Sequence, residues 1–305
     1  MSDHYFEFND GSFFRSGHVA CGGCVEALAM RAILNTVGQD AICVVPPSCG
    51  AIIAGAFPTS SFKIPAIHTT LESAAATASG IKRALITKGK PDTTVLCLAG
   101  DGGTYDIGLQ ALSSAVERNE DILYICFDNE GYMNTGAQKS SSTPFNAATG
   151  STPDGKLSDK KNLTEILAAH RIPYVATASP HDIPDLTTKV AKAMKIRGTK
   201  VITVLIPCLP GWGLAENAGV KTARLAAQSG MYPLYEVEDG VRYKLNQPAK
   251  SVPVHEYLSL QKRFRHLSDE DIIILQERVD KEWDRLLKRI EWSSQEHDVK
   301  ETVAP

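Results

Sequence analysis

No stretch of this sequence reaches the ~18 consecutive apolar residues of a membrane-spanning helix, so no membrane segment is expected. The first fourteen residues, MSDHYFEFNDGSFF, carry acids and lack the apolar h-region of a secretory signal, so a cytoplasmic protein is expected. Blocks of like charge are missing and the formal net charge is only −3. Neither nucleic acid nor an anionic membrane is then expected as a partner. Internal repeats are absent. Seven cysteines in a cytosolic chain of 305 residues are too few and too scattered for a disulfide framework, and are expected as thiols or metal ligands. What remains is 43% apolar and 22% charged, the balance of a globular protein able to bury a sizeable core in one large domain or two.

Up to about residue 210, short β-rich runs alternate with helical stretches. AICVVPP, TTVLCLAG, DILYICFDN, YVATAS and KVITVLIPC read as strands, the last of them closing the series. TTLESAAATASGIKRALI, DIGLQALSSAVERN and DIPDLTTKVAKAMKI read as helices. The strand runs are continuously apolar, as suits strands covered on both faces. Such alternation predicts a doubly wound, mostly parallel α/β sheet. Residues 136–162 are rich in Ser, Thr, Gly, Pro and Lys, a length typical of a functional lid or a linker. From 231 the pattern changes. PLYEVEDGVRYKLN predicts a hairpin turning at Asp239-Gly240, and a long amphipathic helix follows with Ser268 as N-cap. Residues 1–230 are therefore expected to form the α/β domain. Residues 231–305 are expected to form a hairpin-plus-helix arm, packed on its own domain or on a neighbouring chain, with Ile273, Leu275, Trp283 and Leu287 as its packing stripe.

The run VLCLAGDGGTYDIG passes from strand through glycines into helix. Ligands of open α/β sheets bind beyond the carboxyl ends of strands, where Asp101 stands. Gly100, Gly102 and Gly103 allow the backbone close to a ligand. Gly-Asp-Gly alone is equally a surface turn. The next strand, however, ends in CFDNEGYMNTG, placing Asp128, Asn129 and Glu130 at its carboxyl end, with Asn129 28 positions after Asp101. Hard oxygen donors on adjacent strand ends suit Mg²⁺ bound together with phosphate oxygens. The pairing resembles the thiamine diphosphate enzymes. That resemblance implies that Asp101, Asn129 and the carbonyl of Gly131 hold Mg²⁺ against the cofactor's diphosphate.

Cys21 and Cys24 form a C-x2-C pair, Cys49 follows in PPSCGA, and Cys208 lies in LIPCLPGW. These four stand in irregular, Gly- or Pro-flanked stretches. Cys43, Cys97 and Cys126 lie inside strand runs and read as small buried hydrophobes. From the cysteines alone, zinc and a [4Fe–4S] cluster stand level, with a dithiol switch behind. Thiamine diphosphate chemistry on a 2-oxo acid leaves electrons to be carried away. Zinc has no redox chemistry to accept them, whereas an iron–sulfur cluster does.

GHVACGGC, PPSCG, LESAAATASGI, AGDGGTYDIGLQALSSAVER, YICFDNEGYMNTGAQKSSSTP, AAHRIPYVATAS and PCLPGW together resemble the thiamine-binding β subunit of the 2-oxoacid:ferredoxin oxidoreductases along nearly the full chain, most of all the pyruvate type. The resemblance implies a [4Fe–4S] cluster on Cys21, Cys24, Cys49 and Cys208. It places Asn134 beside the reaction centre, where an amide can hydrogen-bond a developing oxyanion. Ser48, Gly50, His68 and Tyr132 join Gly100, Asp101, Gly102, Gly103, Asn129 and Gly131 in the expected cofactor-binding set. His18 and His68 stand near the motifs, and a backbone-satisfied neutral histidine is the competing reading for each. Tyr132 and Trp212 are expected as pocket walls. Glu72 reads as the far end of a Thr69–Glu72 capping box rather than as the acid that activates the cofactor's pyrimidine ring. A pyrimidine-side subunit must then supply that acid, a ferredoxin-like subunit further clusters, and ferredoxin the final acceptor, in a dimer of heteromers.

Two departures from the pyruvate type, NEGY in place of Asn-Glu-Ala-Tyr and CLPGW in place of Cys-Pro-Thr-Gly-Trp, leave the substrate open between pyruvate with coenzyme A and oxalate without it. The alternatives are a non-redox thiamine decarboxylase or synthase with structural zinc, and a non-catalytic iron–sulfur carrier.

Overall fold

The computed structural model describes residues 12–248 and 250–301; the first eleven residues of the acidic leader lie outside the described residues. The chain opens with helix α1 (Val25–Val37), strand β1 (Ala41–Val45), α2 (Cys49–Ala54), β2 (Ala66–His68), α3 (Ala74–Thr87) and β3 (Thr94–Gly100). It continues through α4 (Leu109–Glu117), β4 (Leu123–Asp128), α5 (Leu163–Ala169), β5 (Tyr174–Ala178), α6 (Ile183–Lys195) and β6 (Lys200–Leu205). It ends with α7 (Leu209–Trp212), α8 (Gly219–Ser229), β7 (Tyr235–Glu238), β8 (Arg242–Leu245), α9 (Val254–Leu258) and α10 (Asp269–Glu301). The strands form one sheet in the order β2-β1-β3-β4-β6-β5-β7-β8. The first six are parallel, and β7 and β8 are added antiparallel.

Successive strand residues feed opposite faces. Cys43, Leu96, Ile125 and Ile202 pack with Met30 and Ile33 of α1 and Val190 of α6. Val44, Cys97, Cys126 and Val201 pack with Ala78 of α3, Leu112 of α4 and Leu167 of α5. Both faces are dry, which is why the strands are continuously apolar, and the expected doubly wound α/β fold is present. Cys43, Cys97 and Cys126 are fully buried within these layers. Among the described residues no helix is long and apolar enough to cross a membrane.

Three elements differ from expectation. Lys200–Leu205 does not close the sheet, because the Asp239-Gly240 hairpin pairs with β5 as strands β7 and β8. The segment after residue 230 therefore packs on its own domain, and α10 lies along β8. Second, the expected stripe of α10 is split. Leu275, Val279, Trp283 and Leu286 are buried at helical spacing, while Ile273 is 58% and Leu287 40% exposed. Third, α3 begins at Ala74 with Ser73 in the N-cap position. Thr69–Glu72 is a separate turn, so the capping box does not form. Ser268 does cap α10, accepting from Asp271 N–H at 3.2 Å.

Candidate functional site

Four adjacent strands deliver polar loops to one rim of the sheet. β1 leads into Ser48 and Cys49, β3 into Asp101, β4 into Asn129–Gly131 and β6 into Cys208. The chain leaves β1 for β2 on one side and returns to β3 on the other, so the β1/β3 rim is a topological switch point of the kind that binds ligands. The two loops touch there: a Cβ on Gly100 would lie 3.3 Å from Ser48 Cβ. Ser48 caps α2, accepting from Ala51 N–H at 3.3 Å. Gly50 is buried against Met30 and Glu26.

Asp101 is buried at the end of β3. Burial, and then the charge of Asp128, push its carboxyl well above the usual carboxylate range, while Ser140 and Lys160 pull it back. One terminal atom of the Asn129 amide lies 2.9 Å from Asp101 Oδ1 and 2.7 Å from Gly131 O. As NH₂ it bridges both oxygens. As oxygen it completes a three-oxygen set that only a cation can hold together. Among the described residues, three buried acids, Asp101, Asp128 and Glu130, face two cations: Lys160 pairs with Asp128 and Glu130 and its charge reaches Asp101, and Arg263 pairs with Glu130. Hard donors and a local excess of negative charge both fit Mg²⁺.

The β3–α4 connection is a wide helical turn over Gly102–Ile107, kinked at Asp106. Tyr132 closes it, donating to Gly102 O at 3.1 Å and Asp106 Oδ2 at 2.9 Å. A Cβ on Gly102 would sit 2.3 Å from the Tyr132 ring, so only glycine fits. Asn134 follows in a single 3-10 turn, exposed, its side chain without a hydrogen bond among the described residues.

Residues 136–162 are neither an open lid nor a linker. They form a strap packed across the strand ends. Ser140 donates to Asp101 Oδ2 at 2.5 Å, Ser141 and Ser142 donate to Asp106 and Asp128, and Thr143 donates to Glu130 O at 2.8 Å. Lys160 binds Asp128 at 2.7 Å and Glu130 at 2.9 Å. Nothing in the polar composition of residues 136–162 marks these side chains as partners of buried carboxylates, although the Ser-Ser-Ser run lies within YICFDNEGYMNTGAQKSSSTP. Arg263, which binds Glu130 at 2.6 Å, has no local sequence signal at all.

Cys21 and Cys24 lie on one turn, with Cys24 N–H donating to Cys21 O at 3.1 Å. Gly23 between them has φ +74°, and a Cβ there would lie 2.1 Å from Glu216 O. Burial pushes the Cys24 and Cys49 thiols up, with Glu26 adding to it, and takes Cys208 to about 12. Each of these three also feels the charge of other members of the set Cys21, Cys24, Cys49 and Cys208, so the thiols share one neighbourhood. As bare thiolates they would repel one another and the buried Glu26. Among the described residues, no three His, Cys, Asp or Glu side chains stand close enough to hold a single metal ion.

The remaining candidates lie further out. His68 ends the edge strand β2, exposed, with Nε2 3.2 Å from Gly55 O. His18 stacks on Phe14 at 4.8 Å, and its Nδ1 accepts from Ala20 N–H at 3.4 Å. Glu72 is exposed and bonded to Thr70 Oγ1 at 2.8 Å. Trp212 is no pocket wall. It is fully buried and donates from Nε1 to Asn129 O at 2.8 Å.

The family profile described as thiamine pyrophosphate enzyme, C-terminal TPP binding domain, matches residues 49–204. Pyruvate synthase subunit PorB of Methanocaldococcus jannaschii is 46% identical over 286 residues, covering 90% of this chain and 96% of that one. Ketoisovalerate oxidoreductase subunit VorB of Pyrococcus abyssi is 45% identical, covering 91% and 93%. The chain belongs to the thiamine-binding β subunits of the 2-oxoacid:ferredoxin oxidoreductases. The fold agrees: 2-oxoglutarate:ferredoxin oxidoreductase from Magnetococcus marinus matches with a TM-score of 0.59 at 19% identity, over 89% of this β subunit and 97% of that chain. As a β subunit of this family, the protein is a thiamine-dependent oxidoreductase subunit. The matched profile begins at Cys49, just after β1, and spans β3 and the loops of Asp101 and Asn129.

Proposed function

We propose that this β subunit, assembled with its partners, oxidatively decarboxylates a small 2-oxo acid and passes the electrons through its own [4Fe–4S] cluster to ferredoxin. One observation carries the reading: a terminal atom of the Asn129 amide lies 2.9 Å from Asp101 Oδ1 and 2.7 Å from Gly131 O, and Trp212, four residues after Cys208, bonds to Asn129 O. Thiamine diphosphate, when bound, supplies the electron sink for decarboxylation. Asp101, Asn129 and Gly131 O would hold Mg²⁺ against its diphosphate, beside Gly102 and Gly103, whose Cβ sides are taken by Tyr132 and Leu71. Ser48 and Tyr132 shape the crevice through α2 and the Gly102 turn; Gly50 and His68 belong to the same proposed set. The free amide of Asn134 can donate to an oxyanion on the substrate.

Cys21, Cys24, Cys49 and Cys208 would ligate the cluster. A cluster rather than zinc is proposed on these thiols because zinc has no redox chemistry to accept the electrons of the reaction. Glu72, exposed and held by Thr70, is not the activating acid in this reading. A pyrimidine-side subunit supplies it, and a further cluster-carrying subunit leads to ferredoxin, in a cytoplasmic dimer of heteromers. The names of the relatives support a 2-oxo acid.

Pyruvate with coenzyme A is the first reading. Oxalate without coenzyme A is the second, left open by the NEGY and CLPGW departures from the pyruvate type. Anaerobic turnover of the complex decides between them. Ferredoxin reduction by pyruvate plus coenzyme A supports the first, reduction by oxalate alone supports the second, and reduction by neither overturns both.

A further inference from the structure

We propose that Arg263 is a positioning residue for the Mg²⁺–thiamine diphosphate site, bracing the loop of Asn129 and Gly131 and the loop of Cys208 from one point. The inference rests on the reading of Asn129 and Gly131 as metal ligands. Arg263 comes from a single helical turn, Lys262–Phe264, more than a hundred residues after those ligands, and its side chain is buried. One guanidinium nitrogen donates to Glu130 Oε2 at 2.6 Å, and Nε donates to Gln261 Oε1 at 2.8 Å. Its plane covers the Trp212 ring, 3.7 Å from the centroid. The other terminal nitrogen is buried with no hydrogen-bond partner among the described residues. A cation is thus kept out of water among one carboxylate, the Gln261 amide, the Tyr257 hydroxyl 3.4 Å away, and the rings of Trp212 and Phe264.

Both partners control backbone that the site depends on. Glu130 lies between Asn129 and Gly131 at φ +62°, a left-handed conformation that side-chain residues persist in only when their surroundings enforce it. Here Arg263 and Lys160 hold its carboxylate, Thr143 Oγ1 donates to its carbonyl and Asp128 Oδ1 accepts from its N–H. On the two sides of this twist, the Asn129 amide lies 2.9 Å from Asp101 Oδ1 and 2.7 Å from Gly131 O. Trp212, beneath the guanidinium, donates to Asn129 O, and its own N–H donates to Cys208 O at 2.9 Å. Arg263 therefore fixes one ligand loop through Glu130 and the other through Trp212. A lysine keeps the charge but loses the planar fork and the stack.

The test uses the assembled complex, prepared anaerobically, as wild type, Arg263→Met, Arg263→Lys and Trp212→Phe. Substitutions of groups that orient metal ligands cost about 10–100-fold in metal affinity. Arg263→Met is therefore expected to need ten- to a hundredfold more Mg²⁺ for thiamine diphosphate binding, with iron content and visible absorption unchanged. Arg263→Lys should recover this in part. Saturating Mg²⁺ should restore the turnover of Arg263→Met, and Mg²⁺ plus thiamine diphosphate should raise its melting temperature less than that of wild type. A merely structural role would lower the melting temperature with and without ligands and give no Mg²⁺ rescue, and that result overturns the proposal. If Arg263→Met does not assemble, Trp212→Phe keeps the stack and deletes only the bond to Asn129. A Mg²⁺ requirement for it within twofold of wild type overturns the proposal. A wild-type complex with no Mg²⁺-dependent cofactor binding would instead overturn the functional reading itself, and this inference with it.

Discussion

Ser140 Oγ lies 2.5 Å from Asp101 Oδ2, so the strap over residues 136–162 is anchored on the carboxylate expected to bind metal. A buried hydrogen bond to a charged group contributes about 1.5–3 kcal/mol, roughly a tenfold change in an equilibrium constant or more. Ser140→Ala should weaken Mg²⁺-dependent thiamine diphosphate binding by about tenfold, measured by calorimetry, with iron content unchanged. Wild-type affinity in this variant would mean that the strap plays no part in the site.

Asp101→Ala removes the only charged member of the Asp101–Asn129–Gly131 set. Mg²⁺ bound through few protein groups tolerates such a loss poorly. Thiamine diphosphate should no longer bind at concentrations that saturate the wild type, while the cluster absorption stays. Unchanged cofactor affinity would remove Asp101 from the site.

The cysteines divide by environment. Cys97 is fully buried in the sheet, with its thiol held up by burial, whereas Cys208 stands at the strand ends near Cys24 and Cys21. Cys208→Ser should lower iron content and bleach the broad visible absorption. Cys97→Ser should leave both near wild type. Equal losses in the two variants would show that the ligand set is wrongly drawn.

Much of this was legible beforehand. The central strands β3 and β4 are dry on both faces, so their apolar runs are unbroken, and the glycines and acids that follow mark where they end. The capping spacing of Thr69 and Glu72 puts the start of α3 too early, because Ser73 takes up the Thr69 hydroxyl and Thr70 the Glu72 carboxylate in a turn of their own. β2 escaped notice because it is three residues long and lies at the edge, with Ile67 and His68 exposed. The role of Ser140, Ser142 and Lys160 was hidden because a polar loop looks the same whether it is solvated or docked on buried carboxylates. Arg263 meets Glu130 and Trp212 only after the hairpin and α9 have been laid down, and no local pattern marks it.

Glu72 tests the dependence on a partner. Its carboxylate is exposed and held below the usual range by hydrogen bonds from its own backbone N–H and from Thr70. The complex carrying Glu72→Gln should exchange the cofactor's C2 proton at the wild-type rate. The isolated β subunit should not exceed the rate of free cofactor. Rapid exchange by the isolated chain, abolished by Glu72→Gln, would place the activating acid here after all.

The central claim is that electrons from a 2-oxo acid enter a cluster held by Cys21, Cys24, Cys49 and Cys208 of this chain. The most direct measurement is freeze-quench electron paramagnetic resonance of the anaerobic complex mixed with the acid that supports turnover, comparing wild type with Cys208→Ser. The account predicts a reduced [4Fe–4S] signal that appears with substrate in the wild type and is lost, together with about one cluster's worth of iron per β subunit, in the variant. The same signal and the same iron content in Cys208→Ser, or zinc in place of iron in the wild type, would contradict it.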